Sequence, residues 1–102
     1  MLTDDEKLSL AAYVIMSSYR ERALITLNDN KVMTPKYIAE NCKVRTNHIS
    51  KTLGELKENG LVVCINEEAH KGRVYKLTEL GEEIYQILPS LKGKTVGELN
   101  DL

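Results

Sequence analysis

Two aromatic residue types are missing from this sequence, which contains no tryptophan and no phenylalanine. Leucine, isoleucine, valine and five tyrosines must therefore fill the interior, with the tyrosines expected at the edges of the core. No apolar run approaches the roughly 20 residues needed to span a membrane. The first residues, MLTDDEK, are acidic where a signal peptide would be basic. We therefore expect a cytoplasmic protein that does not associate with membranes.

Signatures of catalysis and of metal binding are missing as well. The chain has no Gly-rich phosphate loop, no HExxH motif and no Ser–His–Asp order. Cys42, His48, Cys64 and His70 have metal-ligating side chains, but their spacing does not match a compact ligand pair. Two buried free thiols are favoured over a metal site or a disulfide. We predict a protein that is not an enzyme and that binds neither cofactor nor metal.

The length and the charge distribution indicate one domain with an uneven surface. One hundred and two residues suffice for a single core, so residues 1–102 are predicted to form one domain. The net charge is −1, but residues 43–76 carry seven lysines and arginines against four glutamates. The remainder carries seven basic and eleven acidic side chains. A basic face on an acidic body is typical of a small DNA-binding protein.

Residues 33–60 have the pattern of two short helices joined by a tight turn. Thr34 can cap a helix over residues 35–42, because a proline at the first helical position follows it. A second helix is predicted over residues 46–59, with the glycine that follows ending it in the left-handed conformation. Lys43 would occupy the turn with a positive φ, at some energetic cost. The pair predicts a helix-turn-helix.

The exposed face of the second helix is unusual. Ordinary solvated faces favour good helix formers, whereas here short polar side chains lie opposite an apolar stripe. Such side chains hydrogen-bond well to base edges. The polar and basic residues on this face and at its start are Arg45, Thr46, Asn47, Ser50 and Lys51. The alternative is that Thr46, Asn47 and Ser50 only cap and solvate the helix, although a cap needs one such residue rather than three.

Gly54 lies inside the predicted second helix, where it should weaken the helix by about 0.5–1 kcal/mol relative to alanine. Either this glycine lets DNA or another backbone come close to the helix, or it is a substitution without function whose small cost in stability is tolerated.

Two β-prone runs, LVVCI and VYKLT, follow the helix pair. They predict a hairpin over residues 61–78. The loop between the runs carries three residues that give the hairpin a polar, basic tip: His70, Lys71 and Arg73. A hairpin placed after a helix-turn-helix predicts a wing.

The remaining segments are predicted to be helical. An N-terminal helix is expected over residues 4–17, and a second one over residues 18–28, where Ser18 precedes Glu21 with capping-box spacing. Thr78 can cap a further helix over residues 79–88, which Pro89 should end. The predicted fold is mainly α with a small β-hairpin wing, of the α+β class: a winged helix-turn-helix with extra N- and C-terminal helices.

The sequence resembles winged-helix transcriptional regulators of the MarR and ArsR type, particularly their compact prokaryotic and archaeal relatives, over about residues 19–88. The matching motifs are PxxIAE, RTNHISKTL, ENGLV, KGRVY and LTELG. The resemblance implies that the second helix enters the major groove and that the wing touches the minor groove or phosphates. It assigns the groove to Arg45, Thr46, Asn47, Ser50 and Lys51, the wing contacts to His70, Lys71 and Arg73, and further phosphate contacts to Thr34 and Lys36.

The two ends of the chain suggest a homodimer. The stretch LSLAAYVIM, residues 8–16, is apolar almost all the way round, and the tail over residues 90–102 keeps four apolar residues at near-helical spacing. Both can pack on a second subunit, as the resemblance also implies. The alternative is a monomer whose two ends cover each other.

These patterns together predict a homodimeric transcriptional regulator that binds double-stranded DNA sequence-specifically. The alternative is a winged-helix adaptor that binds proteins without specific DNA binding, since a fold alone does not decide function. A small-molecule effector would have to bind between the helices of the dimer.

Overall fold

The computed structural model describes residues 2–91 of the chain. Within that range five helices and one hairpin follow each other in the predicted order. They are α1 (Asp4–Ile15), α2 (Ser18–Asn30), α3 (Pro35–Cys42), α4 (Thr46–Glu58), β1 (Val62–Cys64), β2 (Tyr75–Leu77) and α5 (Glu79–Leu91). The mainly α winged-helix fold is therefore confirmed. None of the helices within residues 2–91 is both long and apolar enough to cross a bilayer.

The first two helices are set by their caps. Thr3 and Glu6 form a capping box at the start of α1, with each side chain accepting a hydrogen bond from the other's backbone amide. The prediction that α1 reaches residue 17 is wrong by two residues, because Ser17 caps α2 by accepting from the Arg20 amide at 3.3 Å. The cap of α2 is thus Ser17 rather than Ser18, and α2 continues two residues past the predicted end, to Asn30.

The helix-turn-helix has the predicted architecture. The Thr34 hydroxyl accepts from the amide of Tyr37 at 3.3 Å, which begins α3. Lys43 takes the left-handed conformation with a φ of 58°, and this turn redirects the chain into α4. At the other end α4 stops at Glu58, one residue earlier than predicted, and Gly60 follows with a φ of 76°.

The hairpin is antiparallel and shorter than its β-prone runs. Val62 pairs with Leu77, and Cys64 pairs with Tyr75. Met33, just before α3, forms an isolated bridge to Tyr75, with backbone hydrogen bonds of 3.0 and 2.8 Å in the two directions. This bridge ties the start of the helix-turn-helix to the loop end of β2.

The last helix corrects the sequence-based boundary. Pro89 does not end α5, which continues to Leu91, so the predicted stop at residue 88 is wrong. Proline in a helix removes one hydrogen bond and crowds the preceding turn. Here burial of Leu88 and Leu91 in the core offsets that cost. Of the predicted tail, residues 90 and 91 belong to α5, and residues 92–102 lie outside the described residues.

One hydrophobic core connects all these elements. Its largest fully buried side chains are Val14, Leu24, Leu27, Ile38, Ile49, Leu53, Leu56, Leu61 and Ile84. The apolar stripe predicted for the second helix is buried, and so is the inner face of α3. The buried apolar residues are Ile38, Ala39 and Cys42 on α3 and Ile49, Leu53 and Leu56 on α4. Close packing is most severe at Gly81 of α5, where a Cβ atom would lie 2.1 Å from the Leu61 carbonyl oxygen. Glycine is required there because α5 lies directly against the backbone that enters β1.

Candidate nucleic-acid interface

The outer face of α4 carries the polar residues that the sequence assigns to DNA. All five of them are exposed: Arg45, Thr46, Asn47, Ser50 and Lys51. The opposite face buries Ile49, Leu53 and Leu56, which anchors the helix to the core. Arg45 occupies the N-cap position, yet its side chain makes no capping hydrogen bond. The apolar side of α4 therefore fixes the helix to the core, while its polar side is exposed to solvent.

Gly54 belongs to the same outer face. A Cβ atom added to it would have no atom of the described chain within 4 Å. Close approach by another part of this backbone within residues 2–91 is thus not the reason for the glycine. DNA approach and tolerated drift are the two interpretations that remain.

The wing loop is organised by Asn66, a residue that sequence reasoning did not single out. Its side-chain oxygen accepts from the Val74 amide at 2.7 Å, and its side-chain nitrogen donates to the Gly72 carbonyl at 3.1 Å. One amide therefore holds both arms of the loop together. Asparagine side chains readily form hydrogen bonds with nearby backbone groups. The position of Asn66 directly after a β-prone run is the only signal in the sequence for this role.

The basic residues at the tip of the wing differ in their surroundings. His70 and Lys71 are exposed. The Arg73 side chain is also exposed, but its Nε donates to the Ala69 carbonyl at 2.9 Å. That bond uses one donor of the guanidinium and leaves its remaining N–H groups for a partner.

An ion pair joins the wing to α4. Lys57, in the last turn of the helix, binds the carboxylate of Glu67 in the wing loop. The hydrogen bond from Lys57 lowers the pKa of Glu67, and the hydrogen bond to Glu67 raises the pKa of Lys57. Both side chains remain largely solvated, so the pair orients the wing more than it stabilises the fold. The two predicted DNA-contacting elements are connected in this way.

The predicted phosphate-contacting residues Thr34 and Lys36 lie at the start of α3. Lys36 is exposed in the first turn of α3, whereas Thr34 is half-buried and its hydroxyl already caps that helix. The bridge between Met33 and Tyr75 places the residue that precedes Thr34 against the loop end of β2.

Two further side chains of the helix-turn-helix are exposed and were not among the predicted site residues. His48, on the first turn of α4, stacks on Tyr19 of α2 with ring centroids 5.3 Å apart and an angle of 15° between the rings. Tyr37, on the first turn of α3, is 60% exposed, which contradicts the expectation that the tyrosines lie at core edges. The missed signal for His48 is its place on a polar helix start, next to Asn47.

The cysteines are both buried free thiols, as predicted. The Cys42 sulfur lies 3.6 Å from the Thr26 hydroxyl, and the Cys64 thiol donates to the Asn66 side-chain oxygen at 3.7 Å. Among residues 2–91, no three His, Cys, Asp or Glu side chains are grouped so that they could hold a metal ion.

Comparison with known proteins identifies the fold. No protein-family model and no curated protein matches the sequence. Among solved structures, a MarR-family transcriptional regulator from Silicibacter pomeroyi DSS-3 superposes with a TM-score of 0.63 at 20% identity, over 72% of this chain and 52% of its own length. A second MarR-family regulator from Silicibacter pomeroyi gives 0.64 at 21% identity, over 95% and 75% of the two chains.

A protein from Mycobacterium tuberculosis, RV1404, superposes with a TM-score of 0.68 at 11% identity, over 94% of this chain and 72% of its own. The present chain spans about half the length of the first of these three proteins and nearly three quarters of the other two. Identities this low are informative about the fold alone. The chain therefore has the winged helix-turn-helix fold that solved regulators of the MarR family share.

Proposed function

We propose that this chain is a transcriptional regulator that binds double-stranded DNA sequence-specifically, with α4 in the major groove. The observation that carries the proposal is the outer face of α4, where Asn47, Ser50 and Lys51 are all exposed beside an open helix start. Asparagine can bind adenine through two hydrogen bonds, and lysine can reach guanine or phosphate. The major groove is wide enough to admit an α-helix, and a polar helix face can then hydrogen-bond to the base edges.

The wing supplies affinity that does not depend on sequence. His70, Lys71 and Arg73 lie on a loop that Asn66 holds closed and that Lys57 orients against α4. Their positive or polar ends suit the minor groove or the flanking phosphates. Phosphate contacts fix the position of a protein on the duplex, while base contacts select the sequence. Lys36 and Thr34, at the start of α3, extend the phosphate contacts on the wing side.

We also propose that the regulator is a homodimer. Ala11 and Val14 of α1 are fully buried in the chain's own core, but Met16 at the end of that helix is 79% exposed. Leu8, Leu10 and Ile15 are only partly buried. A two-fold dimer through α1 would cover this apolar surface and present two copies of α4 to a pseudo-palindromic site.

Sedimentation tests the dimer. Because Val14 belongs to the core, its replacement by glutamate would unfold the chain rather than separate subunits. Met16→Glu lies outside the core and should shift the wild-type dimer towards monomer without changing the thermal midpoint measured at low concentration. A wild-type protein that sediments as a monomer at all accessible concentrations would refute the dimer.

The experiment that tests DNA binding is fluorescence anisotropy of a random-sequence duplex, titrated with protein at several salt concentrations. Each phosphate that the protein neutralises contributes about 0.9 to the slope of log affinity against log salt. Joint replacement of Lys71 and Arg73 by alanine should reduce that slope by about two units. The matched control is Lys31→Ala, which removes an exposed lysine at the C-cap of α2, outside the wing loop.

The result decides between the two functional classes. A steep salt dependence that the wing variant reduces and the control does not supports the regulator, and selection of bound duplexes from a random pool then gives the operator. No binding even at low salt supports the protein–protein adaptor instead. In that case the outer face of α4 is the surface to test against protein partners.

A further inference from the structure

The stack between Tyr19 and His48 lies at the border of α4's polar face. The two rings are nearly parallel, at an angle of 15°. Tyr19 is 37% exposed, and His48 is exposed as well. Within residues 2–91, neither the Tyr19 hydroxyl nor a His48 ring nitrogen makes a hydrogen bond to the chain. The polar groups of these two exposed residues therefore have no protein hydrogen-bond partner in this range.

The helical geometry of α4 shows on which side of its polar face the stack lies. His48 and Glu55 lie two helical turns apart, and therefore on the same flank of the helix. The first turn of α2 packs along that flank, since Tyr19 stacks on His48 and Arg20 lies 3.5 Å from Glu55. Two sequential residues of α2 thus hold one side of the helix.

The wing holds the other side. Lys57 is nine residues from His48, which places it on the opposite flank at about 100° per residue, and it binds Glu67 of the wing. Between the two flanks lie Asn47 and Lys51, which face outward. The polar face is therefore framed by the wing on one side and by the start of α2 on the other.

We propose that Tyr19 and His48 bind the phosphate backbone of the duplex at the edge of the major groove opposite the wing. This inference rests on the proposed function, and it adds a second phosphate-binding edge to the one that the wing provides. The Tyr19 hydroxyl and an imidazole N–H are both donors, and phosphate oxygens are acceptors. The stack restricts both rings before DNA arrives, which reduces the entropy lost on binding.

Phenylalanine substitutions separate contact from packing. Tyr19→Phe removes only the hydroxyl and keeps the ring on His48. His48→Phe removes both ring nitrogens and keeps an aromatic ring on Tyr19. If the two residues bind phosphate, each variant should weaken binding to random-sequence and operator duplexes alike by about five- to tenfold, with the thermal midpoint unchanged. Tyr85→Phe is the matched control, because it makes the same chemical change on α5 and should bind as the wild type does.

The outcomes distinguish this inference from the proposed function. Salt-steep binding by the wild type that Tyr19→Phe and His48→Phe leave unchanged would overturn the second edge while leaving the regulator in place. Loss confined to the operator duplex would show that the pair reads bases, and this too would overturn a phosphate contact. Failure of the wild type to bind any duplex would overturn both. Equal losses on both duplexes, absent in Tyr85→Phe, support the inference.

Discussion

The guanidinium of Arg20 lies 3.8 Å from the centre of the Tyr13 ring, and its Nε donates to the carbonyl of the same tyrosine at 2.8 Å. The same guanidinium reaches Glu55 of α4 at 3.5 Å. One side chain from α2 therefore contacts both α1 and α4. The Arg20 side chain is therefore largely buried between these two helices, with 15% of it exposed. This junction connects the proposed dimer helix to the proposed recognition helix.

Arg20→Ala should lower the free energy of unfolding by about 1–3 kcal/mol, because it removes a cation–π contact and a charged hydrogen bond from a half-buried position. Arg20→Lys should recover only part of the loss, since an ammonium cannot satisfy both contacts with the geometry of a guanidinium. Chemical denaturation measures the effect. Lys71→Ala, on the exposed wing, is the control and should change stability by no more than about 0.5 kcal/mol. Equal stability of Arg20→Ala and wild type would show that the junction is not energetically important.

Asn47→Ala should cost about 1–3 kcal/mol of binding free energy on the operator and almost nothing on random DNA, because a base contact acts only on the matching sequence. Anisotropy titrations on the two duplexes measure the difference. Asn30→Ala provides a matched control at the exposed end of α2. An equal loss on both duplexes would remove the base-reading role of Asn47.

Two glycine-to-alanine substitutions should have opposite effects on stability. Gly81→Ala places a methyl group against the Leu61 carbonyl, and overpacking of this kind costs about 1–3 kcal/mol. Gly54→Ala meets open space on an exposed helix and should stabilise the protein by about 0.5–1 kcal/mol. Thermal and chemical unfolding of both variants test the contrast, and destabilisation by Gly54→Ala would contradict it. DNA affinity of Gly54→Ala then separates DNA approach from drift, because a backbone contact would be blocked by the added methyl.

The wing ion pair should respond to pH at both ends of the scale. Since folding lowers the pKa of Glu67, its contribution to stability is complete above the unperturbed pKa of 4.5 and is lost as the pH falls through the folded pKa. Since folding raises the pKa of Lys57, its contribution to stability is complete below the unperturbed pKa of 10.5 and is lost as the pH rises through the folded pKa.

NMR titration of the Glu67 carboxyl carbon measures the pKa of Glu67 directly. In Lys57→Gln the midpoint should move up, because the hydrogen bond that stabilises the carboxylate is gone. Lys51→Gln removes a lysine from the outer face of α4 and should leave the midpoint where it is. A Glu67 midpoint that is the same in wild type and Lys57→Gln would show that the pair does not form in solution.

The sequence by itself determined the helix-turn-helix and the position of its polar face. The Thr34 cap, the left-handed Lys43 and Gly60, and the buried stripe of α4 all depend on residues within a few positions of one another. Local hydrogen bonding and helical periodicity act over that range, so a pattern in the chain is enough to predict them. The same locality placed the hairpin, although its strands proved shorter than the β-prone runs.

Only the tertiary structure decided which residues far apart in the sequence are in contact. The stack of Tyr19 on His48 joins residues that are far apart in the sequence, and so does the bridge from Met33 to Tyr75. The continuation of α5 through Pro89 is a third case, because burial of Leu91 in the core outweighs the local preference of proline to end a helix. Packing of separate elements supplies these energies, and no local pattern contains them.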